Sequence, residues 1–120
     1  MGRASSRRRD RKGGERMTLE EFKGIVATIG IPYAYGYFRD TQAPAYIVYS
    51  ETYRNAIYAD GRVIYAEPYI LLQLVTKTRD QAKERLIEAA LTANKIAYDW
   101  PDYEFDEQQG IHTASYYFPI

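Results

Sequence analysis

No cysteine occurs among the 120 residues, which removes disulfides, thiolate metal sites and cysteine nucleophiles together. Histidine is nearly as scarce. His112 is the only one, and a lone histidine inside an alternating apolar segment is ordinarily structural. No glycine-rich phosphate loop is present, because Gly13-Gly14 lies in a basic stretch with no strand before it. No run approaches the roughly 18 apolar residues of a membrane span, and the arginine-rich N-terminus lacks the apolar core of a secretory signal. Carboxylates are plentiful, yet nothing singles out a pair for acid–base work. Those between Asp99 and Glu107 alternate with Tyr103 and Phe105, a pattern suited to a half-exposed strand or hairpin rather than a cation loop. The expectation is a protein that is no enzyme and takes neither metal nor cofactor.

What is present divides the chain in two. Residues 1–16 hold seven basic groups against two acidic ones (net +5), leaving the rest with nine and fourteen (net −5). A segment so polar and aperiodic cannot offset its ordering entropy, so a disordered basic arm is expected at 1–16 and a single domain at 17–120. Three readings of the arm stand side by side. Arg7, Arg8, Arg9, Arg11 and Lys12 contact phosphates through counterion release, or they dock on an acidic protein surface. Alternatively the arm is an extension ahead of the natural start, since Met17-Thr-Leu-Glu-Glu opens like a start codon followed by a capped helix.

Thirteen tyrosines stand against one tryptophan and four phenylalanines. Tyrosine suits half-buried surfaces and protein contacts, because its ring packs while its hydroxyl stays wet. Tyr46, Tyr49, Tyr53, Tyr116 and Tyr117 read as sheet-face packing. An RNA-binding sheet would also display aromatics, but it interleaves them with basic residues, and here the sheet segments are nearly neutral.

Helix signals frame two segments. Thr18-x-x-Glu21 is a capping box, followed by Leu19, Phe22, Ile25, Val26 and Ile29 on one face, with Gly30 and Pro32 as the stop. This predicts a helix over 19–29. Thr78-x-x-Gln81 predicts a second over 79–93, with Ala82, Leu86, Ala89, Ala90 and Ala93 on its apolar side, Ile87 and Leu91 beside them, and Asp80, Lys83, Glu84, Arg85 and Glu88 outward. Period-two segments predict strands at 33–38, 46–52, 55–59, 62–66, 69–76, 96–100 and 111–118. Asp60-Gly61 marks a two-residue type I′ hairpin turn, and the apolar run at 69–76 predicts a central strand. The fold class is therefore α+β, a mostly antiparallel sheet of about five to seven strands packed against two helices on one face.

Gly30-Ile-Pro-Tyr-Ala-Tyr35 with Phe38, Ala43-Pro-Ala-Tyr-Ile-Val-Tyr49, Asn55-Ala-Ile-Tyr-Ala-Asp60-Gly-Arg-Val63 and Ile70-Leu-Leu-Gln-Leu-Val-Thr-Lys-Thr78 before Arg79-Asp80 follow one another in order. In that order and spacing the body resembles the tail-completion or tail-terminator proteins (head–tail joining components) of long-tailed phages and prophages. The resemblance implies a role without chemistry. The chain would form a homo-oligomeric ring, a hexamer, on the tail tube, stop tube growth and dock neck or connector proteins. It would be assembled in the host cytoplasm and reside in the virion tail or neck. An acidic body around passing DNA would keep the duplex from sticking. The candidate contacts are Arg39, Asp40, Thr41 and Gln42 in one loop, and Tyr58, Asp60, Gly61 and Arg62 at the hairpin tip. The alternative function is a small nucleic-acid-binding regulator that grips phosphates with its arm.

Overall fold

The computed structural model describes residues 17–119, and for Arg54 and Asn55 the backbone alone. Helix α1 (Leu19–Ala27) starts as its capping box demands: the Thr18 hydroxyl accepts from the Glu21 amide at 3.1 Å, and the Thr18 amide donates to the Glu21 carboxylate at 2.9 Å. The helix stops two residues earlier than its apolar spacing predicts, at the Thr28 cap, and Gly30 turns the chain at φ +88°. Strand β1 (Tyr33–Tyr35) is three residues rather than six, because Gly36 leaves extended geometry at φ +80°.

The four strands expected between residues 46 and 76 are two. β2 (Tyr46–Ala59) and β3 (Arg62–Thr76) form one long antiparallel hairpin across Asp60-Gly61. Both turn residues take positive φ, +51° and +76°, as a type I′ turn requires. Pro68 does not break β3 because it lies beyond the stretch where β3 has a second neighbour, and a strand edge tolerates its missing N–H.

Helix α2 (Gln81–Ala93) is capped by Asp80, not Thr78: the Asp80 carboxylate accepts from the Lys83 amide at 3.1 Å and binds the Lys83 ammonium at 3.0 Å. Residues 96–100, expected as a strand, form an irregular connection, and the acidic segment becomes strand β4 (Asp102–Asp106), paired with β5 (Ile111–Pro119).

These elements make a five-stranded sheet in the order β1-β2-β3-β5-β4, antiparallel except for the β1–β2 pair. The architecture is α+β, with β3 central as its apolar run predicts. Both helices cover the same side. Phe22 and Val26 of α1 and Ile87 and Leu91 of α2 join Tyr49, Leu72 and Tyr116 of the sheet in one core. The Phe22 ring meets Tyr49 edge-on at 5.4 Å and Phe118 at 5.5 Å.

Candidate assembly interface

Strand alternation sends neighbouring residues to opposite sides of the sheet. Ile70, Leu72 and Leu74 of β3 face the helices and are buried. The opposite side is formed by even-numbered residues 46–52 of β2, odd-numbered 69–75 of β3 and odd-numbered 113–117 of β5. Among the described residues no helix lies over it. An antiparallel sheet with one wet face ordinarily carries charge there, but none of these positions is charged. Leu71, Val48 and Tyr117 provide apolar area, and Gln73 donates to the Ser115 hydroxyl at 3.3 Å between them. Depletion of charge with retention of tyrosine is the compositional mark of a protein contact. Charge returns at the β4 edge, where Asp102, Glu104 and Asp106 line this side, and on β3 at Glu67, the next residue on this side beyond Tyr69. Carboxylates at the β4 edge keep an edge strand from pairing with another chain.

The second unusual surface is the outer half of the hairpin. β5 pairs with β3 only as far as Tyr69, and β1 with β2 only at Ile47–Tyr49. Residues 53–59 and 62–68 therefore project as a two-stranded ribbon whose outer edges have no strand neighbour among the described residues. Register irregularities between Arg54 and Ile57 and between Ile57 and Tyr58 disturb the alternation. Apolar side chains follow one another directly, in Ile57-Tyr58 and in Val63-Ile64-Tyr65, so both sides of the ribbon carry them. With Tyr53, these six are 45–67% exposed. An isolated two-stranded hairpin is marginal in water, and six such groups left wet on one suggest a contact surface.

The structure separates the two predicted contact groups. Tyr58, Asp60, Gly61 and Arg62 lie at the ribbon tip. The loop of Arg39, Asp40, Thr41 and Gln42 returns to the start of β2, where Phe38 packs edge-on against Tyr46 at 5.3 Å, so the length of β2 lies between them. Arg7, Arg8, Arg9, Arg11 and Lys12 lie outside the described residues. Of the tyrosines read as sheet packing, Tyr49 and Tyr116 are buried against the helices and Tyr46 and Tyr117 are half-buried on the helix-free side. Tyr53 instead belongs to the exposed ribbon. Sequence reading missed the ribbon as a unit, although two hydrophobic segments flanking Asp-Gly and exceeding a usual strand length were its signal.

A polar cluster occupies the start of α2. Glu84, expected on the outward face, is 4% exposed. Arg79 Nε and Nη2 reach its two oxygens at 3.4 and 3.5 Å, and the Tyr103 hydroxyl donates to it at 3.2 Å. The Arg79 guanidinium also stacks 4.3 Å from the centre of the Tyr103 ring. One turn on, Glu88 accepts from the buried Tyr116 hydroxyl at 2.9 Å. The apolar face of α2 is accordingly Ile87 and Leu91, and Leu86 points to water.

Burial, and then the neighbouring Glu88, push the Tyr116 phenol far above its ordinary value, and burial and Glu84 push Tyr103 up. Phenols held protonated and a carboxylate neutralised by arginine make a clamp between α2, β4 and β5. A catalytic acid or base needs a proton exchangeable near working pH, and these phenols are shifted away from it. His112 stacks on Tyr103 at 5.6 Å. Trp100, placed by sequence in a strand, is 89% exposed in the connection before β4, beside a cleft of about 150 Å³ next to Arg79 and Arg85.

Among the described residues, no three His, Asp or Glu side chains are grouped to hold a metal ion, and no helix is long and apolar enough to cross a membrane. Compared with protein families and with curated proteins, the chain matches no family model and no curated sequence.

Proposed function

We propose that this protein acts by assembly: a tail terminator or head–tail joining component of a long-tailed phage or prophage, forming a ring, a hexamer, on the tail tube and docking neck proteins. It would be made in the host cytoplasm and finish in the virion tail or neck. The observation that carries the assembly part is the projecting ribbon with six apolar side chains in water, attached to a sheet whose helix-free side bears no charge over residues 46–52, 69–75 and 113–117. The order of motifs from Gly30 to Thr78 supports the phage part. The polar groups nearest to a chemical site, Glu84 with Arg79 and Glu88 with Tyr116, are occupied in holding α2 to the sheet. That arrangement favours a structural role over an enzymatic one.

Size-exclusion chromatography with light scattering, followed by negative-stain imaging with isolated tail tubes, tests the proposal. The expected result is an oligomer that caps tube ends. A protein that stays monomeric with and without tubes, and never caps them, would overturn it.

A further inference from the structure

We propose that the β2–β3 ribbon lies on the helix-free sheet side of a second copy of this chain. The inference rests on the self-assembly reading in taking a second copy as the occupant, and adds which two surfaces meet. Three observations lead to it.

Area comes first. The six exposed ribbon side chains leave on the order of 600 Å² of mostly apolar surface in water, against the ~800 Å² that each partner contributes to a standard interface. Because both sides of the ribbon carry these groups, a partner face that covers one side takes roughly half of that area, a substantial part of a standard contact.

Charge selects the partner. The helix-free side is uncharged over residues 46–52 of β2, 69–75 of β3 and 113–117 of β5, and so are the six ribbon side chains. The basic arm and a nucleic acid are both poor matches for an uncharged face, since each would desolvate charge without compensation. The ribbon matches the face in kind, since both present apolar groups with tyrosine hydroxyls at their edges.

Reach makes the match intermolecular. Val63 lies ten residues along β3 from Gln73, the partner of Ser115, or about 33 Å at the rise of an antiparallel strand. The ribbon runs away from its own sheet and cannot fold back onto it without leaving the hairpin register.

The absence of cysteine makes disulfide trapping a clean test. Val63→Cys and Ile64→Cys are neighbours on the exposed ribbon, and Ser115→Cys lies on the helix-free side. A disulfide needs Cα atoms within about 7 Å, so a ribbon–Ser115 bond forms only between molecules. Each ribbon variant is mixed with S115C at high concentration under mild oxidation and resolved on a non-reducing gel. The expected result is a covalent dimer for S115C with at least one ribbon variant, and none for S115C alone. No bond to S115C, or ribbon variants that bond only to themselves, would overturn the inference.

A double variant, the trapping ribbon cysteine combined with S115C, separates this inference from the ring. A ladder beyond the dimer agrees with both. A product that stops at the dimer keeps the ribbon–face contact and contradicts the ring.

Discussion

Leu71 and Leu72 are adjacent in β3 and point to opposite sides of the sheet, so the pair tests whether one side is packed and the other open. Leu72 is 0% exposed among the helix-side core residues, while Leu71 is half-buried on the side no helix covers. Leu72→Ala removes side-chain volume from a closed core and leaves a cavity, at a cost of about 3 kcal/mol. Leu71→Ala removes the same atoms from a surface where water and neighbouring side chains replace the contacts, at about 1 kcal/mol or less. For a domain of this size 1 kcal/mol moves Tm by about 4–8 °C, so Leu72→Ala should melt roughly 15 °C lower and Leu71→Ala only a few degrees lower. Urea unfolding followed by far-UV circular dichroism at low micromolar protein measures both on the monomer. Repeating it at high protein concentration should enlarge the Leu71→Ala penalty alone, because association stabilises the folded state by mass action. Equal costs at low concentration would refute the reasoning, since they would mean that the helix-free side is packed within a single chain.

Three further outcomes follow from local contacts. Thr18→Ala should cost about 1 kcal/mol by removing the acceptor for the Glu21 amide, and Thr18→Ser should restore most of it in the same urea assay. Tyr116→Phe should cost about 1.5–3 kcal/mol, the usual range for a hydrogen bond to a charged group, and a change under about 0.3 kcal/mol would remove the Tyr116–Glu88 bond from the account. The side-chain and backbone bonds to Lys83 hold the Asp80 carboxyl below its ordinary value, so its folded-state pKa lies below its unfolded one. That contribution to stability is present above the unfolded value and lost as pH falls through the folded value; Asp80→Asn should therefore flatten the acid limb of a Tm–pH profile.

The features legible in the sequence are those decided by neighbours in the chain. The Thr18 capping box, the Asp60-Gly61 turn and the central apolar run of β3 all depend on residues within a few positions, and the structure reproduces each. What escaped depends on distant partners. Glu84 reads as solvated because Arg79 alone would leave it at the surface; Tyr103, nineteen residues on, closes the clamp. Thr78 and Asp80 are both capping residues, and Asp80 takes the role because Lys83 answers it with both amide and ammonium. The sequence pattern divides the hairpin at Tyr53 and Pro68, where a proline and polar residues interrupt it. Yet β-pairing tolerates them where β3 has lost its outer neighbour. Of the candidate contacts, the Tyr58–Arg62 tip was legible from turn chemistry. The ribbon behind it and the uncharged sheet side required the register.

The most direct test of the central claim, assembly through the ribbon, is sedimentation velocity of the full chain against a Tyr58→Ser, Val63→Ser double variant across a concentration series. Both residues are exposed in the fold, so the variant should keep its circular dichroism spectrum and melt within a few degrees of the parent. The parent chain should move to larger species as concentration rises, and the variant should remain a monomer throughout. Identical sedimentation of the two proteins would contradict it.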